Sequence, residues 1–232
     1  MSRHHFFLTG TDTEIGKTTV SAALVHAAVQ QGLTAAALKP IAAGQELREG
    51  RWVNEDVAQL HAVQNAGLLE SEVGPLQLRT PCAPHLAARL EGVTLTREAV
   101  LAPLRAVLPR LQFGLVEGVG GFRVPICDGW DTADLATDLA LPVILVVGLR
   151  LGCINHALLT AEAVAARGLR LAGWVANTVD GQMLQHSENL ATLDALLPAP
   201  RLAAVPRLES PSPAAVAAHL DAAALQRLMT SP

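Results

Sequence analysis

Short apolar runs alternate with Ala- and Leu-rich stretches along most of the chain, and this alternation restricts the fold more than any other feature. Apolar runs without polar alternation suit strands buried on both faces, as in a parallel sheet, and the stretches between them suit crossover helices. The pattern predicts strands near His5 to Thr9, Thr34 to Leu38, Phe113 to Glu117, Val143 to Val147, Leu171 to Ala176 and Leu202 to Val205. It predicts helices over Lys17 to Gln31, Asp56 to Gln64, Pro84 to Leu90, Arg97 to Leu111, Asp131 to Leu139, Asn155 to Arg167, Gln182 to Leu196 and Pro213 to Met229. In the first of these, Val20, Leu24, Ala27 and Ala28 recur at helical spacing and Gly32 acts as a stop signal. Residues Ile41 to Asn54 and Gly67 to Pro81 break the alternation, are richer in Gly and charge, and read as loops rather than strands. The expected class is α/β, a mostly parallel sheet with helices on both faces. One domain over residues 1–232 is expected, because no repeat, low-complexity tract or linker interrupts the pattern.

Half of the 232 residues are hydrophobic, enough for a substantial core. Lys and Arg number 17 against 21 Asp and Glu, so a formal charge of -4 offers no broad basic field for nucleic acid or an anionic membrane. Any phosphate must be bound locally. The longest near-continuous apolar stretch, Leu139 to Leu149, is interrupted by Pro142 and falls short of the roughly 18 residues of a membrane span. Ala214 to Met229 has Arg227 but no Lys, and reads as a packing helix rather than an anchor. The first residues lack a cationic start and an apolar signal core, so a cytoplasmic location is expected. Cys82, Cys127 and Cys153 have no CxxC partner and read as small apolar residues, and the eight histidines show no metal spacing.

The strongest local motif is Gly10-Thr11-Asp12-Thr13-Glu14-Ile15-Gly16-Lys17-Thr18-Thr19, between the first predicted strand and the first predicted helix. Successive backbone N–H groups of such a loop turn inward, and the helix N-terminus adds partial positive charge, so together they cradle a polyphosphate. Lys17 would meet the outer phosphates and Thr18 would offer its hydroxyl to a magnesium ion. The strict pattern places its first Gly at position 11, where Thr11 stands with Gly10 one residue earlier; a chance Gly-Lys-Thr is the competing explanation.

Glu117 ends an apolar strand and precedes Gly118-Val119-Gly120-Gly121, at the carboxyl edge where α/β proteins place ligands. It is either a magnesium ligand or a solvated strand-end acid. Asp56 is equally a metal ligand or part of a capped helix start in Asn54-Glu55-Asp56. Lys39, in Leu38-Lys39-Pro40, closes the second strand at the same edge and could supply cationic charge to phosphoryl transfer, although an isolated lysine there is usually just solvated. Gly120 and Gly121 allow close backbone approach to a ligand or simply form a turn.

Over essentially its full length the chain resembles the dethiobiotin synthetase family. The resembling segments are Thr9 to Thr18, Leu38-Lys39-Pro40, Ala83-Pro84-His85, Val116 to Gly121, Pro142 to Gly148, Leu151-Gly152-Cys153-Ile154-Asn155-His156 and Ala172 to Asn177. The resemblance implies a P-loop NTPase-like, homodimeric, magnesium-dependent ligase. Such an enzyme uses ATP and CO2 to close the ureido ring of dethiobiotin on 7,8-diaminononanoate, through a carbamate and its mixed anhydride with phosphate. It further implies Lys39, Lys17 and Thr13 as catalytic residues and Thr18, Asp56 and Glu117 as metal ligands. Nucleotide contacts are implied at Glu14, Ile15, Gly16, Lys17, Thr18, Thr19, Glu117, Gly118, Val119, Gly120, Asn177, Thr178, Pro206, Arg207 and Leu208, with Asn177 reading adenine. Substrate contacts are implied at Ala43 and at Gly152, Cys153, Ile154 and Asn155, the last four serving the carboxylate from across the dimer interface.

The chain departs from the family pattern at Ala43, where Ser is frequent, at Thr178, where an acid is common, and at Cys82-Ala83 in place of a Thr-Ser pair. Two rival classes share the loop. A dimeric switch ATPase would carry a further lysine early in it, where this chain has Thr11-Asp12-Thr13, and a small-molecule kinase would carry an arginine-rich lid, whereas the arginines here are scattered.

Overall fold

The computed structural model describes residues 3–230. In chain order the elements are β1 (His4–Gly10), α1 (Lys17–Gln30), β2 (Ala35–Leu38), β3 (Ile41–Ala43), β4 (Glu46–Arg48), β5 (Arg51–Val53), α2 (Glu55–Val63), α3 (Glu70–Val73), β6 (Leu76–Leu78), α4 (Pro84–Glu91), α5 (Arg97–Val107), β7 (Phe113–Glu117), β8 (Pro125–Cys127), β9 (Trp130–Asp131), α6 (Thr132–Leu139), β10 (Val143–Leu149), α7 (Cys153–Ala166), β11 (Leu171–Thr178), α8 (His186–Leu196), β12 (Arg201–Val205), α9 (Pro213–Ala217) and α10 (Ala222–Thr230).

Every residue of β2, β7 and β10 is buried, as the unbroken apolar runs require of strands covered on both faces. Six strands make one parallel sheet in the order β12-β11-β10-β1-β7-β2, with β1 between β7 and β10. Phe7, Leu8, Phe113 and Trp174 are fully buried in its core. A fully buried Leu or Phe contributes roughly 1.5–3 kcal/mol, so the sheet holds the fold and the loops at its edge are left to chemistry. Because all six strands run the same way, their carboxyl ends share one edge. That geometry collects the residues after β1, β2, β7, β10, β11 and β12.

Several expectations change. Residues 41–54 and 67–81 are not plain loops: β3 pairs in parallel with β6, β4 and β5 form an antiparallel hairpin, and α3 lies between. Each of these strands has only three residues, too few to register as a run. The first helix is not one-sided: Val20 through Val25 are all buried, because α1 is enclosed by β2, β7, α2 and α9. The expected final helix breaks into α9 and α10, where Leu220 bridges to Ala203 and the Asp221 N–H donates to the Leu202 carbonyl at 2.7 Å. Asp221 then caps the second piece by accepting the Ala224 N–H at 2.7 Å. The fifth helix stops at Val107, followed by one 3-10 turn over Leu108–Arg110. α8 starts four residues late, after a turn in which Asp180 accepts the Gln182 N–H at 2.9 Å. α7 starts two residues early, at Cys153. No helix among the described residues is long and apolar enough to cross a membrane.

Candidate active site

The phosphate loop rises from the end of β1 and turns into α1 through Gly16, whose φ of +84° is the left-handed conformation that favours glycine. A Cβ there would stand 2.3 Å from the Asn177 amide nitrogen. That nitrogen donates to the Ile15 carbonyl at 2.7 Å and so links the end of β11 to the loop. Lys17 donates to the Asp12 carbonyl at 2.8 Å. Burial, followed by the like charge of Lys39, lowers the Lys17 ammonium pKa to about 8.

Lys39 organises the other half of the site. Its Nζ donates to Glu117 Oε1 at 2.6 Å and lies 3.0 Å from Asp56 Oδ2. The Thr18 hydroxyl donates to the same Glu117 oxygen at 2.7 Å. The Lys39 ammonium experiences burial, the largest single influence, as a downward push, but Glu117 and Asp56 together outweigh it and raise the pKa. Asp56 mirrors this: burial pushes its carboxyl up, whereas the Lys39 ammonium beside it holds it below the usual range. Asn54 caps α2 by accepting the Val57 N–H at 3.2 Å, which frees Asp56 to face Lys39. Glu117 is fully buried, so it is not a solvated strand-end acid, and its Oε2 has no hydrogen-bond partner among the described residues. A buried carboxylate oxygen left unmatched is costly unless another cation or donor reaches it.

Thr13, Glu14, Gly16, Lys17, Thr18, Thr19, Lys39, Ala43, Asp56, Val119 and Gly120 all line one cavity of about 730 Å³. Glu14, Gly16 and Thr19 also border an adjoining cavity of about 280 Å³ lined by Asn177, Thr178, Pro206, Arg207 and Leu208. Three expected contacts belong to the wall instead: Glu117, fully buried, lines neither cavity. Ile15 is buried beneath the loop, and the Gly118 N–H is engaged by the Leu8 carbonyl at 2.9 Å. Gly152, Cys153, Ile154 and Asn155 line neither cavity; they open α7 nearby, with Gly152 at φ +94°. The Cys153 N–H is engaged by the Arg150 carbonyl at 3.0 Å, leaving those of Ile154 and Asn155 without a backbone acceptor among the described residues.

Sequence reasoning missed Glu55 and Gln59, which join Asp56 in lining the larger cavity at helical spacing on α2. It also missed His186, whose Nε2 lies 3.2 Å from the Thr178 hydroxyl. Another cavity, of about 740 Å³, opens at the opposite edge of the sheet beside Arg3, Arg167, Arg170 and Arg227. Arg167 there pairs with Asp134, and Arg167 and Arg170 lie beside the carbonyl end of α7, where cations are favoured. No phosphate-loop residue or buried carboxylate lines it, so the chemistry belongs to the carboxyl edge.

Comparison with known proteins gives the family and the fold. The family model described as an AAA domain matches residues 4–215. MinD from Aquifex aeolicus superposes with a TM-score of 0.56 at 13% identity, covering 99% of this chain and 98% of that one. A ParA family ATPase from Chlorobium tepidum superposes with a TM-score of 0.53 at 11% identity, covering 99% and 90%. At such low identity these two establish a shared P-loop NTPase fold and nothing more. Sequence relatives are far nearer. The ATP-dependent dethiobiotin synthetase of Janthinobacterium sp. is 55% identical over 219 residues, 93% of each chain. That of Aromatoleum aromaticum is 53% identical over 215 residues, 93% of this chain and 96% of its own. Identity at this level across nearly the whole length, on a P-loop fold whose phosphate loop faces a buried lysine and two carboxylates, means that the chain belongs to the ATP-dependent dethiobiotin synthetase family.

Proposed function

We propose that the chain closes the ureido ring of dethiobiotin on 7,8-diaminononanoate, using ATP and CO2 and releasing ADP and phosphate. The observation that carries this reading is the cluster in which Lys39 joins Asp56 and Glu117 while Thr18 donates to the same Glu117 oxygen: Lys39, Asp56 and Thr18 line the cavity that the phosphate loop also borders, and Glu117 lies buried behind them. The adjoining cavity beside Asn177 and Pro206 to Leu208 suits the adenine base.

In the reaction so read, one substrate amine attacks CO2 and loses a proton to become a carbamate. A carbamate oxygen then attacks the terminal phosphorus of ATP, and the bond to the ADP oxygen breaks. The second amine attacks the carbamoyl carbon, the carbon–oxygen bond breaks with its electron pair leaving on phosphate, and the amine's proton passes to the departing phosphate or to water, which closes the ring. No side chain needs to act as a nucleophile. Charge accumulates on carbamate and phosphate oxygens, and Lys17, Lys39 and the loop N–H groups, with Thr13 beside them, answer it with fixed positive charge and donors. Lys39 is suited to this because its ammonium stays protonated through the physiological range.

Two carboxylates and a hydroxyl, Asp56, Glu117 and Thr18, make a sparse oxygen-only set that suits magnesium, whose remaining ligands are water and phosphate. The orphaned Glu117 Oε2 fits such a cation. Magnesium would neutralise charge on the transferring phosphoryl group. Among the described residues there is no group of three or more His, Cys, Asp and Glu side chains that could hold a metal by itself. A homodimer in the cytoplasm completes the reading, with the N–H groups of Ile154 and Asn155 receiving the carboxylate of substrate held by the partner subunit.

ADP release measured with ATP, magnesium and bicarbonate tests this directly. The reading expects it to depend on the diamine and to ignore DNA and lipid vesicles. Turnover stimulated by DNA or lipid and indifferent to the diamine would instead point to a switch ATPase.

A further inference from the structure

The phosphate loop is tied to the end of β10 by contacts outside the catalytic cluster. The Thr11 N–H donates to the Val146 carbonyl at 3.0 Å, and the Thr11 hydroxyl accepts the Gly148 N–H at 3.3 Å. Asp12 adds one more tie, to Arg150, and two contacts within the loop. Its Oδ1 accepts the Thr13 N–H at 2.8 Å, its backbone carbonyl accepts the Lys17 ammonium at 2.8 Å, and its Oδ2 pairs with the Arg150 guanidinium. Asp12 therefore sets both the direction of the loop backbone at Thr13 and the resting place of Lys17.

Arg150 is itself a fixed post. It follows the last residue of β10, and its carbonyl accepts the Cys153 N–H in the first turn of α7. We propose that Arg150, acting through Asp12, is a positioning residue for phosphoryl transfer: it holds the phosphate loop so that Lys17 and the loop N–H groups are aimed at the terminal phosphate. The proposal rests on the reading that this loop binds a nucleoside triphosphate. The competing explanation is an ordinary surface ion pair. The two side chains are 43% and 42% exposed, and a pair so exposed adds little to global stability. Its loss would therefore be felt in loop geometry, where small displacements of catalytic groups are expensive in rate.

The variants Arg150→Met, Arg150→Lys and Asp12→Asn, and the double variant Asp12→Asn/Arg150→Met, test the proposal in the full-length protein. Binding of a fluorescent ATP analogue, kcat and KM for ATP, and Tm are measured for each. Arg150→Met is expected to lower kcat/KM for ATP and weaken analogue binding by about tenfold. Its Tm should stay within about 2 °C of the parent. Arg150→Lys should recover much of the loss, because an ammonium still pairs with Asp12, and the double variant should be no worse than the poorer single variant. Unchanged binding and kinetics in Arg150→Met, or additive losses in the double variant, would overturn the proposal. Should Arg150→Met fail to fold, Asp12→Asn and Arg150→Lys carry the same comparison. Analogue binding needs no diamine, so this test remains readable if the ring-closure reading fails, and a parent that makes dethiobiotin beside unaffected variants would sink the strut alone.

Discussion

Lys39 Nζ lies 2.6 Å from Glu117 Oε1, with the two side chains only 4% and 0% exposed. A charge in such a place must be matched, because the surrounding protein replaces its water poorly. Lys39→Met removes the ammonium and leaves Glu117 buried without its counter-charge. Breaking a buried pair in this way costs roughly 3–5 kcal/mol. Denaturant unfolding should register that loss, and ring closure should fall by at least about a hundredfold. A variant as stable and as active as the parent would remove Lys39 from the centre of the account.

Lys17 makes the nucleotide site sensitive to alkaline pH. Only the protonated ammonium attracts phosphate, and burial lowers its pKa to about 8. As pH rises past that value the charged fraction falls, so ATP binding weakens, and below it binding is undiminished. Between pH 7 and 9.5 the loss should reach about thirtyfold. A Lys17→Arg protein keeps its charge over this range and should show a flatter profile in the same titration. Identical profiles for the two proteins would contradict the assignment.

Gly16→Ala should damage the site more than the fold. The left-handed φ costs an L-residue roughly 1–2 kcal/mol, and the new Cβ would displace the Asn177 amide from 2.3 Å away. Tm should fall by several degrees, whereas ATP analogue binding should be largely lost because the bond from Asn177 to Ile15 breaks. Calorimetric titration with the analogue separates the two effects.

Ala43→Ser should be tolerated. Ala43 lines the cavity beside the phosphate loop and is part-exposed, so a hydroxyl there meets open space and can contribute a hydrogen bond. The expected kcat is within about threefold of the parent. A large fall in turnover would mean that the substrate lies against this wall more tightly than the geometry allows.

The central strands and the phosphate loop were legible because they rest on local signals. Apolar runs such as Val143 to Val147 have few alternatives to a buried strand, and Gly16-Lys17-Thr18 between a strand and a helix carries its own context. Asp56 and Glu117 were ambiguous from their neighbours alone. What separates them from a capping residue and a solvated acid is the Lys39 ammonium, brought from another strand end by the parallel sheet. The link between Asp12 and Arg150 spans 138 residues, and nothing in either segment announces it. Residues β3 to β6 escaped notice for a different reason: three-residue strands such as Ile41–Ala43 are set by tertiary pairing, not by local propensity. The break before α10 did leave a trace, since Asp221 ahead of Ala222-Ala223-Ala224 is a readable helix cap.

The most direct measurement is to incubate the protein with ATP, magnesium, isotope-labelled bicarbonate and 7,8-diaminononanoate, and to follow the product by mass spectrometry. The account predicts dethiobiotin carrying the label at its ureido carbon, formed in step with ADP and absent with Lys17→Ala or Lys39→Ala. ATP consumption without labelled dethiobiotin, or a labelled product undiminished in both lysine variants, would contradict it.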